Sequence, residues 1–296
     1  MDDTVFVEYG SEEGDFYFHH IRRTNPFGRQ NHYHSTYEIY FLLSGQRTYF
    51  IKDRSYLISP GNLVFINKQD VHKTMDVAEP GHERVVINFS DKMLGEDHAA
   101  FHSTLLAPFA YVTPVFNLKL PQQSFVKTLL EKMSGELQQQ QSGYEAYIRL
   151  LLTELLLFAG RLAENQLPEV KEQSSPLHRF VTAVIRHINE HFQDPLSLNG
   201  LAVQFGVSPF ALSRAFPKIT GFTLVEYINT TRIKEAQRLL AATELKIIQI
   251  AGLCGFESMA HFGRMFKKLT ALSPAAYRKR SRLNSNPGIT NSILLV

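Results

Sequence analysis

The chain has 296 residues, 44% hydrophobic and 20% charged. That length exceeds one ordinary domain and that apolar content excludes a disordered chain, so two folded domains are expected. A single cysteine, Cys254, excludes an internal disulfide. The opening Met1-Asp2-Asp3-Thr4 is acidic where a secretory signal is basic and then apolar. The most apolar stretch, 150–160, carries Glu154 and falls short of the roughly 20 residues of a membrane-spanning helix, so a cytoplasmic protein without membrane association is expected. The net charge of +3 conceals a division: residues 177–282 hold 15 Lys/Arg against 6 Asp/Glu, a net of +9, which leaves −6 on the remainder. Lys and Arg gain by displacing counterions condensed on phosphates, so the basic third is expected to meet a polyanion.

From residue 37 to 89, short runs of β-branched and aromatic residues recur at 38–43, 47–52, 56–59, 63–67 and 84–89. They are separated by Ser44-Gly45, Asp53-Arg54 and Ser59-Pro60-Gly61-Asn62, and many short strands at this spacing predict a sandwich or barrel. In a strand, His32, His34 and Glu38 share parity, and hence one face, with Tyr40 and Leu42. His19, His20, His82, His98 and His102 have no ligand-like spacing and read as surface or loop residues. Two helices follow, 122–141 and 143–163, with apolar stripes through Phe125, Leu129, Met133 and Leu137, then Ile148, Leu151, Leu155, Phe158 and Leu162. On the second, Leu152, Leu156 and Leu157 widen the stripe beyond what one packing partner requires, which leaves two readings open: a dimerisation surface or an ordinary core helix.

Residues 165–175 have no apolar period and read as a linker between a first domain, 1–164, and a helical domain, 176–282. Ser175-Pro176 caps the next helix, whose apolar face runs through Phe180, Val184 and Ile188 until Asp194-Pro195. An internal repeat then appears. Residues 201–207 align with 250–256 at an offset of 49, and 212–216 with 262–266 at an offset of 50. Each copy reads as helix, glycine turn, helix, with Ala202 and Ala251 permitting close approach, Gly206 and Gly255 supplying positive φ, and Ser208 and Ser258 capping the second helix. In each second helix Leu212 and Phe216, or Phe262 and Phe266, face inward, leaving Arg214, Lys218, Arg264, Lys267 and Lys268 for phosphates or bases. A helix begun by the capping box Thr223/Glu226 joins the copies; about 16 residues would span roughly 24 Å, against about 34 Å between successive major grooves. An uncharged tail, 283–296, ends Ile293-Leu294-Leu295-Val296 and either docks or stays disordered.

Arg232-Ile233-Lys234-Glu235-Ala236-Gln237-Arg238-Leu239-Leu240, Gly255-Phe256-Glu257-Ser258, Phe262-Gly263-Arg264-Met265-Phe266-Lys267-Lys268 and Ser273-Pro274 with Tyr277-Arg278-Lys279 resemble the DNA-binding domain of AraC/XylS transcription regulators. The resemblance covers 177–282 and implies that Phe210, Ser213 and Arg214, and then Met259, His261 and Arg264, face the bases. Pro217, Ala271 and Asn199-Gly200 depart from the family pattern, so the first module is expected to bind more weakly or with a different sequence preference. Gly28, His32, His34, Glu38 and Gly45, followed by Pro60-Gly61 and His72, resemble the two motifs of the cupin barrel, the usual N-terminal partner in that family. That resemblance implies three readings of His32, His34, Glu38, Tyr40 and His72: hydrogen-bonding groups of an effector pocket, a metal set of His32, His34, Glu38 and His72, or structural residues of the barrel mouth.

The fold class expected is α+β: a cupin-like β-barrel or jelly roll with two following helices, then an all-α domain with two helix-turn-helix modules joined by a long helix. The function expected is a cytosolic, sequence-specific regulator that needs no cofactor and no catalysis. Its expected partners are double-stranded DNA, a second copy of the chain as homodimer, RNA polymerase where it acts as an activator, and a small effector, with carbohydrate the first guess. The rival is a metal-dependent cupin enzyme acting on a small metabolite, with accessory DNA binding. A DNA-repair methyl acceptor is disfavoured, since that chemistry needs several reactive thiolates and Cys254 stands alone.

Overall fold

The computed structural model describes residues 3–25, 34–68, 70–77, 81–95, 99–111, 113–165 and 175–285. Its contacts divide the chain into two units, Met1–His178 and Arg179–Val296. In the first unit the strands are β1 (Thr4–Gly10), β2 (Phe16–Arg23), β3 (Tyr37–Gly45), β4 (Arg47–Ile51), β5 (Arg54–Ile58), β6 (Asn62–Ile66), β7 (His72–Asp76), β8 (His82–Phe89) and β9 (Val115–Asn117). A 3-10 turn, Asp91–Leu94, leads to helices α1 (Ala99–Ala110), α2 (Leu120–Gln139) and α3 (Tyr144–Asn165). The strands form an antiparallel sheet ordered β1-β2-β8-β3-β6-β9 and a smaller one ordered β5-β4-β7.

Register gives each face of the large sheet its own core. Glu38 lies opposite Asn88 and Ile66, Tyr40 opposite Val86 and Val64, and Leu42 opposite Arg84. Because side chains alternate along a strand, Tyr40, Leu42, Val64, Ile66 and Val86 share one face, where they cluster with Tyr49, Ile51 and Ile58 of the small sheet. The other face sends Ile39, Phe41, Phe65, Val85, Ile87 and Phe89 into a second core with Leu105, Phe109, Leu129, Met133, Leu151 and Leu155 of the helices.

Three expectations change here. Strands β1 and β2 precede the region where strands were expected, and they place His19 opposite Val86 on the inner face. His19 and His82 are therefore buried, and His20 is half-buried against Glu83 at 2.9 Å, so none of the three is a loop or fully exposed residue. His98 lies outside the described residues, as does the side chain of His102. The wide stripe of α3 is filled within the chain: Leu152 and Leu156 are fully buried and Leu157 is partly buried against the same core, because α3 packs on both α1 and α2. Two packing partners account for the width, so that stripe is not a free dimerisation face. Finally, α3 runs through Asn165, one residue into the expected linker, whose positions 166–174 lie outside the described residues.

The second unit is helical: α4 (Pro176–His191), α5 (Leu198–Gln204), α6 (Pro209–Thr220), α7 (Leu224–Ala242), α8 (Ile247–Leu253), α9 (Met259–Thr270) and α10 (Pro274–Ser285). Helix α10 carries order three residues into the expected tail, and 286–296 lie outside the described residues. Helix α7, opened by the reciprocal Thr223/Glu226 box, touches α6, α8, α9 and α10 and so serves as the common support of both repeats. Its 19 residues span about 28 Å, longer than the 16 expected.

The two repeats end differently. Helix α6 closes on Gly221 at φ 75°, whereas α9 closes on Ala271 at φ 59°, a left-handed conformation that costs a residue bearing a Cβ about 1–2 kcal/mol. Ala271→Gly should therefore stabilise the helical unit by about 0.5–1 kcal/mol after its larger unfolded-state entropy is subtracted, as read by urea unfolding. A loss of stability would show that this strain is not present. Pro217 sits inside α6 without ending it, and the helix continues to Thr220 with the Gly221 N–H donating to the Pro217 carbonyl at 2.8 Å.

Candidate functional site

In each repeat the same local chemistry aims the second helix. At the first turn Gly206 takes φ 66° and the Val207 N–H donates to the Ala202 carbonyl at 3.0 Å; at the second Gly255 takes φ 78° and the Phe256 N–H donates to that of Ala251 at 2.9 Å. At Gly255 a Cβ would stand 2.6 Å from the Gln193 carbonyl oxygen, so space as well as φ requires glycine there. Ser208 Oγ accepts from the Ala211 N–H at 3.1 Å and Ser258 Oγ from the His261 N–H at 3.4 Å, which settles where α6 and α9 begin. Leu212, Ala215 and Phe216, and in the second repeat Phe262 and Phe266, are buried.

The opposite faces of these helices are open. Phe210 is 68% exposed, and Ser213, Arg214, Lys218, Met259, His261, Arg264, Lys267 and Lys268 are all exposed. The Arg214 guanidinium lies 5.5 Å over the Phe210 ring. No carboxylate among the described residues pairs with Arg214, Lys218, Arg264, Lys267 or Lys268. Of the other cations of this unit, Arg238 pairs with Glu235, Arg282 with Glu244, and Arg232 lies on the carbonyls of Phe192 and Asp194, while Lys246 and Lys279 stand apart from both second helices without a carboxylate among the described residues. Among the described residues most of the unit's cations without a hydrogen-bond or ion-pair partner thus lie on the two second helices, where a polyanion can reach them. Cys254 is buried, which pushes its thiol up to about 12 and keeps it protonated.

In the barrel, β3, β4, β7 and β8 converge on one carboxylate. The Tyr49 hydroxyl donates to Glu38 Oε1, and Asn88 Nδ2 donates to Oε2 at 3.4 Å. His34 Nδ1–H donates to the Thr36 carbonyl at 2.9 Å and His72 Nδ1–H to that of Asp70 at 2.7 Å, which turns both Nε2 atoms to Glu38 Oε2, at 3.1 and 3.7 Å. Burial alone would raise the Glu38 carboxyl, but His72, His34 and Tyr49 outweigh it and hold it well below the usual carboxylate range. Burial lowers His34, yet the Glu38 hydrogen bond and charge prevail and raise it; burial prevails at His72 and lowers it. Of the two histidines, His34 is thus the one whose charged form the Glu38 carboxylate favours. Burial pushes Tyr40 up to about 12 and keeps it a neutral hydroxyl.

Of the barrel residues singled out in the sequence, His34, Glu38, Tyr40 and His72 are buried on this inner face, and His32 lies outside the described residues. Tyr49 and Asn88, unmarked in the sequence, complete the cluster; the signal available for them was strand parity, legible for Asn88 only once β3 is paired with β8 and for Tyr49 only once the small sheet packs on the inner face. Among the described residues His34, Glu38 and His72 alone form a metal-compatible group, with ligand atoms within 4.8 Å of one another. No helix among the described residues is long and apolar enough to cross a membrane.

Comparison with known proteins matches both units. An AraC-like ligand binding domain matches residues 13–156, and a helix-turn-helix domain matches residues 201–280. The HTH-type transcriptional activator RhaR of Enterobacter sp. (strain 638) is 26% identical over 256 residues, 85% of this chain and 87% of that protein. The uncharacterized HTH-type transcriptional regulator YfiF of Bacillus subtilis (strain 168) is 26% identical over 269 residues, 89% of this chain and 83% of its own length. A third regulator, YijO of Escherichia coli (strain K12), is 31% identical over 166 residues, 55% of this chain and 56% of that one. With the sensing and DNA-binding halves both matched, in the order in which the two units are folded, the chain belongs to the AraC/XylS family of helix-turn-helix transcription regulators.

Proposed function

We propose that α6 and α9 enter successive major grooves of one operator, with Phe210, Ser213, Arg214, Met259, His261 and Arg264 toward the bases and Lys218, Lys267 and Lys268 on phosphates. The observation that carries this reading is the concentration of cations without internal partners on those two helices. In this reading residues 1–164 sense a small effector, 165–175 link, and 176–282 bind DNA. The effector lies among His34, Glu38, Tyr40 and His72. A hydroxylated molecule, with carbohydrate as the first class, fits a set of buried hydrogen-bonding groups. The protein works in the cytoplasm as a homodimer, through a surface other than the filled stripe of α3. A role as activator, by way of RNA polymerase, is the mode we assign, because the similar RhaR protein is a transcriptional activator.

The test is selection of an operator by the full-length protein, followed by titration at fixed salt with and without a panel of sugars. The expected results are specific binding at least 10³-fold tighter than to random DNA, and a change of affinity with one sugar that saturates. Binding no tighter than to random DNA would sink the DNA reading, and an operator affinity indifferent to every effector class would sink the sensing one.

One observation favours a second reading of the barrel. The two histidines anchor Nδ1–H on backbone carbonyls and turn Nε2 toward a shared carboxylate, the arrangement that orients histidine as a metal ligand. His34, Glu38 and His72 would then hold a divalent metal that supplies Lewis-acid chemistry, in keeping with the rival cupin-enzyme expectation. Metal analysis of the purified protein, with melting before and after chelation, separates the two readings. One equivalent of metal and a lowered melting temperature after chelation would favour this one, whereas melting indifferent to chelator would favour the effector pocket.

A further inference from the structure

The inner face of the barrel has a second polar group, distant from Glu38. On the large sheet Glu38 pairs with Asn88, and four residues along β3 Leu42 pairs with Arg84. On the small sheet His72 pairs with Ile51, and four residues along β4 Arg47 pairs with Asp76. Both sheets thus place arginine four residues from the Glu38 cluster, a backbone offset of roughly 13 Å at about 3.4 Å per residue. Tyr40 lies between the two groups on β3, with Arg84 at 6.0 Å from its ring and the charges of Arg84 and Arg47 both acting on its hydroxyl.

Arg47 is 1% exposed and Arg84 6%. Arg47 Nη1 pairs with Asp76, but Arg47 Nε and Nη2, Arg84 Nη1 and the Tyr40 hydroxyl have no hydrogen-bond partner among the described residues. No carboxylate among those residues pairs with Arg84, and Arg23, whose charge also reaches Arg47, is matched by Asp3. Burial lowers Arg47, and the neighbouring Arg84 charge acts in the same direction. Of two buried guanidiniums only that of Arg47 thus has a carboxylate among the described residues, and buried charge without a counterion is costly. Their unused donors lie beside a neutral phenol, and no acid among the described residues serves them.

We propose that the effector carries an oxyanion, a carboxylate or a phosphate ester, held by Arg47 and Arg84 with Tyr40 donating to it, while its hydroxyls reach toward Glu38, His34 and Asn88. The guanidinium fork matches either group with paired N–H donors. This rests on the reading of the barrel as the effector site, and it narrows the ligand from a neutral sugar to an acidic one, such as a uronic acid or a sugar phosphate.

The experiment is melting of the full-length protein in sodium formate, sodium phosphate and sodium chloride at equal ionic strength, for wild type, Arg84→Met and Arg84→Lys. Wild type should melt about 3–5 °C higher, saturably, in one of the two oxyanions than in chloride, as expected near tenfold saturation of a site. A larger rise with formate assigns the carboxylate, and a larger rise with phosphate assigns the ester. Arg84→Met should lose most of that rise, yet in chloride melt no lower than wild type, because it removes an uncompensated buried charge. Should Arg84→Met not fold, Arg84→Lys, which keeps the charge without the fork, should show a rise reduced by half or more. No oxyanion rise in wild type, or an equal rise in whichever folded variant is compared, overturns the proposal. The same melts with glucose, glucuronate and glucose 6-phosphate distinguish this failure from that of the sensor reading. Stabilisation by glucose equal to that by its acidic derivatives would overturn the oxyanion and leave the sensor intact.

Discussion

Glu38→Ala should destabilise the barrel unit by about 3–5 kcal/mol, the cost of removing one partner from a buried charged network. The loss exceeds that of a single hydrogen bond because the carboxylate serves several groups at once. Without it the Tyr49 hydroxyl and Asn88 Nδ2 lose an acceptor, and His34 loses the carboxylate that favours its charged form in a buried site. Glu38→Gln retains the shape and one acceptor, so it should cost less than Glu38→Ala. Urea unfolding of the full-length protein, followed by tyrosine fluorescence and far-UV circular dichroism, should show the transition of the barrel unit moving while that of the helical unit holds. A shift below about 1 kcal/mol would mean that the cluster is not a structural keystone of the barrel.

Arg264→Ala should weaken specific DNA binding by about 1–3 kcal/mol, roughly 5- to 150-fold, and relax the preference for the bases we propose it faces. Arg264 is exposed on α9 with no internal carboxylate, so its removal costs the fold little and any loss is read in the complex. Lys268→Ala should behave differently: a phosphate contact weakens all sequences alike and lowers the slope of log affinity against log salt by about 1. Titrating the selected operator and a scrambled duplex at two salt concentrations separates the two behaviours. Unchanged operator affinity in Arg264→Ala would remove that residue from the reading set.

The helical unit was legible in the sequence almost residue by residue, because its determinants are local. The glycines of the two turns, the serine caps of α6 and α9 and the Thr223/Glu226 box each act within one helical turn of their own position. The repeat at offsets of 49 and 50 then doubled every such signal. In the barrel the strand runs were visible, and so was the shared parity of His34, Glu38 and Tyr40, since alternation is a property of one strand. What lies across from that strand is not. Asn88 meets Glu38, and Arg84 joins Arg47 near Tyr40, only because β8 pairs with β3 in one register and the small sheet closes over the large one. A shift of a single residue in β8 would turn Asn88 and Arg84 to the helix-covered face. His19 and the stripe of α3 follow the same rule: His19 reads as a surface or loop residue until β2 is set beside β8, and the stripe as either a dimerisation surface or a core face until α1 and α2 are set against α3. Local spacing thus determined the helical elements and which side chains α6 and α9 leave exposed, while long-range pairing and closure alone decided which charges share the interior of the sensor.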